Sequence, residues 1–587
     1  MKKHNSYLAV VIAALIFVTG SLVRCGGDPT SSVGEEPEAD SVTRIRLRYN
    51  NLTIQNNTLN VYLPLGTLTF TANVETTGNA SQDFTLTSSD TAVATVSGKT
   101  VTLVSEGSTA ITGTAVGDST KTHTITLNVT DDDEPIDGLP EPYNITNNFG
   151  EDASTEFLAM WHNNTAVTTQ KLQIVKETDP SFTGGREITV TGTYFVGTGT
   201  TIAPNAPTGN ATYGAFGNYT ARNIFRAHVT DLEPDTQYKY RMGDFGAWSE
   251  TFYHRTAADA FAPFSFTVTG DPQDGEIERG GDNSGHTPMG VTLVAANEFD
   301  TDNRFFIMVG DIVDDTGKYP QELVNYTETA NLVNIRTPIA ATQGNHDTYI
   351  NQTDNDQYQF NEGRAYNAFV TFPGNGHQYA GDFGGASPLR RQSHSYYFYY
   401  NNVLIVMLNS MISATASGHS TQVSWLRALL QKDKDQGLSK YIIIGTHVGP
   451  YSSRAVDRYF AGPMRQAYGP VINDFDVDIF FSGHDHMYTR SHPIKTTAAY
   501  PTSTVTPVEN GTVFSLVSAT GPKFYDITAG EEASVGRVFH VRTDTQAAQR
   551  PGMFVNVKVT EEKLSVEAWV AGADEPYDTY EVENKVR

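Results

Sequence analysis

Cysteine and basic residues are scarce in this chain. Its 587 residues include one cysteine, Cys25, so no intrachain disulfide can form. Lys and Arg number 40 against 66 Asp and Glu, which gives a net charge of −26. A surface of that sign repels polyanions at long range and argues against a nucleic-acid-binding surface. A phosphate-bearing substrate would need local positive charge, which bound metal ions could supply.

Long apolar runs are missing from the chain after its N-terminal segment. No stretch there reaches the ~18 apolar residues that a membrane-spanning helix needs. Two lysines precede the apolar run Tyr7–Thr19, which is typical of an export signal, expected here over residues 1–25. The end of this run resembles a bacterial lipoprotein box, in which Cys25 would be lipidated and anchored to a membrane. Arg24 stands where such boxes carry a small residue, so an ordinary cleaved signal is the alternative. We expect an exported protein of the cell envelope, as a periplasmic or cell-surface lipoprotein, or else a secreted one.

Composition divides the chain into segments, because 587 residues are too many for one core. Residues 26–41 are small, polar and acidic, which predicts a flexible tether. Residues 42–130 are rich in Thr, Val and Ser in short alternating runs, which predicts a β-sandwich. Pro and Gly mark a linker at residues 131–142, and a second all-β sandwich is expected at residues 143–257. Strands and helical stretches alternate over residues 262–587, which predicts an α/β domain of layered sheets flanked by helices.

Five short motifs in this last segment each follow an apolar run of strand-like composition. They are GDPQ, GDIVDD, GNHD, TH and GHDH, at residues 270–273, 310–315, 344–347, 446–447 and 483–486. A buried strand that ends before a polar ligand type delivers that residue to one edge of a sheet, where open α/β sheets place their sites. Five strands that each donate Asp, Asn or His to one edge would form a pocket for two metal ions.

The five motifs in this order resemble the calcineurin-like metallophosphoesterase superfamily, and within it the purple acid phosphatase branch. The segments SHSYYFYYNNVLIVMLNS, TQVSWLRALLQ and GHDHMYTRSHP, which begin at Ser393, Thr421 and Gly483, are similar to segments of that branch. Residues 225–256 resemble the end of the fibronectin-type-III-like domain that precedes the catalytic domain in these phosphatases. Residues 87–117 resemble a bacterial Ig-like domain, which implies a spacer or adhesion module.

The resemblance implies two metal ions and assigns their ligands. The first ion would bind Asp271, Asp311 and His486, and the second would bind Asp311, Asn345, His447 and His484. The two oxygens of Asp311 would bridge ions roughly 3.5–4 Å apart. The carbonyl oxygen of Gln273 would add a ligand to the first ion, or its amide would only bind a coordinated water. Two divalent ions and two carboxylates leave positive charge that suits a phosphate dianion.

Asp314 departs from the purple acid phosphatase pattern. Those phosphatases carry at this place a Tyr that holds ferric iron, so the resemblance here implies Mn²⁺, Zn²⁺ or Fe²⁺ and disfavours ferric iron. Asp314 is then expected to be a carboxylate outside the ligand set. Many other metallophosphoesterases carry His where Gln273 stands.

The two residues after Asn345, His346 and Asp347, are the ones expected to take part in proton transfer. By resemblance, His346 is the general acid that protonates the leaving oxygen, and Asp347 orients it; the alternative for Asp347 is a cap of the next turn. The implied reaction is hydrolysis of phosphate monoesters by in-line attack of a metal-bound hydroxide. Candidate substrate contacts are Tyr451, Arg454, Arg490, His492, Asn409 and the insertion from His377 to His394.

Other functions remain open at this point. The same site could act on phosphodiesters or on nucleotide pyrophosphates. The two N-terminal sandwiches also suit a surface adhesion or glycan-binding protein with a degenerate phosphatase scaffold, although the intact ligand set argues against it. The favoured prediction is an exported metal-dependent phosphatase acting on a small phosphate ester.

Overall fold

A computed structural model describes residues 40–49, 52–54, 57–63, 67–130, 141–165, 167–197, 219–244, 247–273, 286–314, 316, 320–348, 363–377, 395–456, 460–517, 520–543 and 550–585. The predicted export signal with Cys25, nearly all of the tether and of the linker, and residues 378–394 of the insertion lie outside this set. The chain divides into two compact units, Met1–Asp132 and Asp133–Arg587. Within the described part, no helix is both long enough and apolar enough to cross a membrane.

The first unit is a β-sandwich. One sheet contains, in spatial order, Leu52–Thr53, Ser41–Tyr49, Thr67–Thr77, Thr100–Leu103 and Ala94–Ser97. The other contains Thr58–Tyr62, Thr122–Thr130, Gly107–Ala115 and Phe84–Ser88. Alternate residues of a strand face opposite sides, so Leu68 and Phe70 are buried while the threonines beside them are exposed. Ile111 and Leu127 of the second sheet complete this core.

The second unit begins with another sandwich. One of its sheets contains Tyr143–Phe149, Phe157–Asn163, Tyr219–Val229 and Thr193–Gly197. The other contains Arg186–Thr191, Thr169–Lys176, Gln237–Asp244 and Ala247–Trp248, with Phe252–Arg255 also paired to Gln237–Asp244. Its core is largely aromatic, and Phe157, Trp161 and Tyr240 are fully buried in it.

Two further sheets form the α/β part of the second unit. The first contains Ile339–Ala341, Asn303–Met308, Phe264–Thr269, Met553–Val559, Lys563–Val570 and Asp578–Glu583. The second contains Tyr396–Tyr400, Val403–Leu408, Tyr441–Thr446, Ile479–Ser482, Val513–Val517, Tyr488–Ser491 and Phe539–Arg542. The strands Phe264–Thr269, Val403–Leu408 and Tyr441–Thr446 are buried along their whole length. Strands covered on both faces need continuous apolar runs, which explains their sequences.

Helices cover these sheets, and the sheets share one core. The helices are Thr287–Phe299, Pro320–Asn334, Arg364–Phe369, Ser420–Gln436, Ala461–Asp474 and Glu532–Val535. Ile307 of the first sheet and Met407 of the second belong to the same apolar cluster, while Leu426 and Ile472 of two helices pack on the other side of the second sheet. The predicted order of two all-β sandwiches followed by a layered α/β domain is confirmed.

Candidate metal centre

The predicted metal ligands follow the ends of five strands. The pairs are Phe264–Thr269 with Asp271, Asn303–Met308 with Asp311, Ile339–Ala341 with Asn345, Tyr441–Thr446 with His447, and Ile479–Ser482 with His484. The first three strands are neighbours in one parallel set, and the last two are parallel neighbours in the other sheet. Carboxyl ends of parallel strands lie on one edge, so each sheet presents its polar residues together.

Several of these residues have a strained backbone. Left-handed φ angles occur at Asp271 (52°), Asp311 (49°), His484 (78°) and His486 (50°). For residues other than Gly this conformation costs about 1–3 kcal/mol each. Strain of this kind persists where surrounding contacts fix it and is concentrated at functional sites, so its occurrence at four predicted ligands supports a functional role.

One group of ligand-type atoms surrounds His447. Single atoms of Asp311, His447 and His484 lie within 4.8 Å of one another. His447 Nε2 is 3.2 Å from Asp311 Oδ2, 3.0 Å from Asn345 Oδ1 and 3.3 Å from His484 Nδ1. All four side chains are buried. The structure therefore brings together the four residues predicted for the second ion.

A second group shares one carboxylate with the first. Single atoms of Asp271, Asp311 and His486 also lie within 4.8 Å of one another. His486 Nε2 is 3.6 Å from Asp271 Oδ1, and the backbone N–H of His484 donates to the same carboxylate at 2.9 Å. Asp311 thus stands between the two groups, as a bridging ligand would.

Backbone carbonyls fix the orientation of two of the imidazoles. His447 Nδ1 donates to the carbonyl oxygen of Val309 at 2.9 Å, and His486 Nδ1 donates to that of Lys523 at 3.1 Å. Because a carbonyl only accepts, each neutral ring carries its proton on Nδ1 and turns its Nε2 lone pair inward. This is the state in which an imidazole binds a metal ion.

The electrostatics of the centre also suit cations. Burial, together with the charge of Asp311, raises the pKa of Asp271 well above its usual value. Burial would also raise the pKa of Asp311, but His447 and His346 lower it below the usual range. Burial would lower the pKa of His447, and the charge of Asp311 instead raises it to about 9. Buried carboxylates facing imidazole and amide donors form a donor set that fits two divalent ions.

Three segments of the chain match known protein families. Residues 264–488 match the calcineurin-like phosphoesterases, residues 142–256 match the purple acid phosphatase N-terminal domain, and residues 42–126 match the bacterial Ig-like domain, group 2. The chain carries a calcineurin-like phosphoesterase domain of the purple acid phosphatase type. The family resemblance drawn from the motifs is therefore confirmed.

Individual proteins are also similar to this chain. The chain is 24% identical to the Mycobacterium tuberculosis protein Rv2577 over 403 residues, which cover 65% of this chain and 68% of that protein. It is 27% identical to purple acid phosphatase 21 of Arabidopsis thaliana over 285 residues, which cover 48% of this chain and 56% of that protein. The structure of purple acid phosphatase PPD1 from yellow lupin (Lupinus luteus) seeds aligns with a TM-score of 0.56 at 14% identity, over 92% of this chain and 96% of that one. At that identity the likeness shows a shared fold.

Gln273 lies beside the shared carboxylate of the phosphoesterase centre. It is fully buried, and its side-chain amide is within 3.1 Å of Asp311 Oδ2 and 3.0 Å of Lys523 Nζ. Asp314 Oδ1 is 3.4 Å from Gln273 Nε2 and 3.7 Å from Lys523 Nζ. Asp314 thus faces Lys523 and Gln273.

His346 and Asp347 both form hydrogen bonds with the backbone of neighbouring loops. The His346 ring bonds through Nδ1 to the backbone oxygen of Asp314, and its backbone N–H donates to Asp311 Oδ1 at 2.9 Å. The carboxylate of Asp347 accepts the backbone N–H groups of Gly344 at 2.7 Å and Ile312 at 3.0 Å. Burial and the charge of Asp311 raise the pKa of Asp347 to about 7. In this structure Asp347 joins the two ligand loops, and Asp314 orients the His346 ring.

Most of the candidate substrate contacts have structural partners instead. Arg490 forms a two-point ion pair with Asp578, at 2.6 and 2.9 Å. His492 stacks on His540 with ring centroids 3.9 Å apart. The charge of Arg490 is therefore paired with Asp578, which gives this residue a structural role.

Two other candidates are buried in the core. The Tyr451 ring packs on Phe514 with ring centroids 4.9 Å apart, and Asn409 donates to the Gln343 side chain at 3.3 Å. His377 is the one residue of the insertion that belongs to the described set.

Arg454 is a candidate substrate contact that Tyr525 links to the metal centre. Its guanidinium lies 4.2 Å from the ring centroid of Tyr525, and that ring packs on His486. Sequence reasoning missed Lys523 of the same loop. The available signal was the apolar strand Val513–Val517 followed by Gly521 and Lys523, the same pattern as in the five motifs.

Proposed function

We propose that this chain is a dimetal phosphohydrolase that hydrolyses phosphate monoesters. The observation that supports this most directly is the place of Asp311, whose carboxylate belongs to both groups of ligand-type atoms. A carboxylate shared between two such groups is the arrangement that two-metal phosphohydrolases need, because it holds the ions close together. The family match of residues 264–488 gives the reaction class.

The ligand assignment is part of the proposal. Asp271, Asp311 and His486 would hold one divalent ion, and Asp311, Asn345, His447 and His484 would hold the other. When bound, such ions lower the pKa of water and neutralise charge on the phosphoryl oxygens. Position 314 is Asp and not the Tyr that holds ferric iron in purple acid phosphatases, which favours Mn²⁺, Zn²⁺ or Fe²⁺ over ferric iron.

His346 would protonate the leaving oxygen of the substrate. Its Nδ1 is held by the backbone oxygen of Asp314, so Nε2 is the ring atom that exchanges a proton with a ligand. Its backbone N–H is bonded to Asp311, which places it next to the proposed bridging ligand. Asp347 would act by holding this loop to the Asp311 loop through backbone N–H groups.

The charge of the centre favours a monoester over a diester. Two divalent ions, two carboxylates and the nearby ammonium of Lys523 leave a net positive site, and a monoester dianion carries more negative charge than a diester. The purified protein should therefore turn over p-nitrophenyl phosphate faster than bis-p-nitrophenyl phosphate. Faster diester turnover would instead assign the protein as a phosphodiesterase.

Metal analysis tests the central assumption. Protein purified without chelator should hold two divalent ions per chain, and Asn345→Ala and His447→Ala should each lower both metal content and phosphatase activity. His540→Ala serves as a control, because His540 is exposed. A wild type with neither bound metal nor phosphatase activity would instead support an adhesion or glycan-binding protein with a degenerate scaffold.

Export and membrane anchoring through Cys25 belong to the same proposal. We expect residues 42–130 to act as a spacer between a lipidated Cys25 and the sandwich at residues 143–257, with the catalytic domain at residues 262–587. Metabolic labelling with a radioactive fatty acid should mark the wild type and leave Cys25→Ser unlabelled. An unlabelled wild type found in the medium would point to an ordinary secreted protein.

A further inference from the structure

The side-chain amide of Gln273 lies between Asp311, whose oxygens accept hydrogen bonds, and Lys523, whose ammonium group donates them. Its amide oxygen is 3.1 Å from Asp311 Oδ2 and 3.3 Å from the Asp311 backbone oxygen, both of which only accept. Its amide nitrogen is 3.0 Å from Lys523 Nζ, which only donates. A half-turn of the amide converts all three contacts into hydrogen bonds. The contact that this turn gives up, from Gln273 Nε2 to Asp314 Oδ1, is the longest at 3.4 Å.

Lys523 fixes the orientation of the Gln273 amide even when a metal ion is bound. A cation beside Asp311 could relieve the contact between two oxygens, but it would leave the Gln273 nitrogen against an ammonium group. Asp314 Oδ1 lies 3.7 Å from Lys523 Nζ, so a carboxylate faces this ammonium group. The bond from Lys523 to the amide oxygen is charge-assisted, which makes it stronger than a bond between neutral groups.

We propose that Lys523 positions Gln273 as a hydrogen-bond donor to Asp311, so that Gln273 is not a metal ligand. This rests on the proposed dimetal function. Asp311 Oδ2 then receives the Gln273 N–H, while its Oδ1 receives the backbone N–H of His346. These bonds fix the carboxylate that both ions share.

Lys523 also fixes His486, another proposed ligand of the first ion. The backbone oxygen of Lys523 accepts the Nδ1 proton of His486, and its ammonium reaches Gln273. The first ion would then have Asp271, Asp311 and His486 as its three protein ligands. Three protein ligands and open positions are typical of catalytic metal sites.

Metal content separates this role from ligation. At saturating metal, Gln273→Ala should keep two ions per chain, with an affinity weakened by no more than about 10–100-fold, because the variant removes a hydrogen-bond partner of Asp311 and no ligand. His486→Ala is the matched control and should lose one ion. If Gln273→Ala also loses one ion, Gln273 is a ligand and the proposal is overturned. A wild type without metal would instead overturn the proposed function itself, so the two failures are distinguishable.

A double-mutant cycle tests the link to Lys523. Lys523→Met and Gln273→Ala should each lower kcat with little change in KM, and the double variant should be no worse than the more damaged single variant, because both act on Asp311. Lys523→Arg should restore part of the activity, because Arg can also donate to the amide oxygen. Independent, multiplying effects would show that Lys523 does not act through Gln273.

Discussion

The ring of His346 is bonded through Nδ1 to the backbone carbonyl oxygen of Asp314. A carbonyl only accepts, so the Nδ1 proton is fixed and proton exchange falls to Nε2. Asp314, the residue that departs from the family pattern, thus sets the tautomer of the proposed general acid through its backbone. No side chain at position 314 is needed for this contact.

Replacing His346 should affect substrates according to their leaving group. An alkoxide needs a proton to depart, whereas p-nitrophenolate does not, so His346→Ala should lower kcat about 10²–10⁴-fold for an alkyl phosphate. The loss for p-nitrophenyl phosphate should be much smaller, and metal content should not change. Steady-state rates on both esters provide the measurement, with His540→Ala as the control. Equal losses on the two esters would rule out a general acid at this position.

Gly344 leaves no room for a side chain next to Asp311. A Cβ atom at this position would lie 2.1 Å from Asp311 Oδ1 and 2.3 Å from its backbone nitrogen. Gly344→Ala should therefore displace the shared carboxylate and lower kcat by about 10²-fold, the effect of a misplacement of roughly 1 Å. Metal analysis should show weaker binding as well.

Gly374→Ala is the matched control for this variant. A Cβ at Gly374 meets no atom within 4 Å, so activity and metal content should stay at the wild-type level. A Gly344→Ala protein with normal metal content and rate would contradict the proposed place of Asp311.

His254 should make the second unit sensitive to acid. It is fully buried, stacks on Phe157 with ring centroids 4.4 Å apart, and burial lowers its pKa to about 3. The folded state therefore keeps His254 neutral, while the unfolded chain takes up a proton below about pH 6.5. Stability is retained above that pH and falls by about 1.4 kcal/mol per pH unit as the pH drops towards 3.

The variant His254→Phe should remove this part of the acid sensitivity. Between pH 7 and pH 5 the free energy of unfolding should fall by about 2 kcal/mol less than in the wild type. Denaturant titrations at the two pH values measure the difference, and the exposed His540→Gln serves as the control. An unchanged pH dependence would show that His254 is protonated in the folded protein.

Asn148 joins the second sandwich to the catalytic domain. Its Nδ2 donates to the backbone oxygen of Thr371 at 2.9 Å and to Tyr396 Oη at 3.3 Å, and the side chain is fully buried. Asn148→Ala would leave a buried carbonyl without its donor and should destabilise the protein by about 1–3 kcal/mol. Thermal unfolding should show the loss with metal content unchanged, while the exposed Asn79→Ala should have no effect. A melting temperature like that of the wild type would contradict this contribution.

Local patterns predicted the elements well. Helical stretches were predicted among the strands of residues 262–587, and one of them is Ser420–Gln436, which ends at a left-handed Gly437. The threonine-rich alternation of the first unit predicted strands with one buried face, as in Thr67–Thr77. Periodicity and end signals depend on neighbouring residues, so the sequence contains them directly.

The partners of individual side chains were decided by the tertiary structure. Asp311, Asn345 and His447 could be read from their motifs, because a strand end fixes where the backbone delivers a residue. The bond from His346 to Asp314, the pairing of Arg490 with Asp578 and the approach of Lys523 to Gln273 depend on which loops meet and how each side chain turns. Those choices follow from contacts between segments far apart in the chain, which no local pattern records.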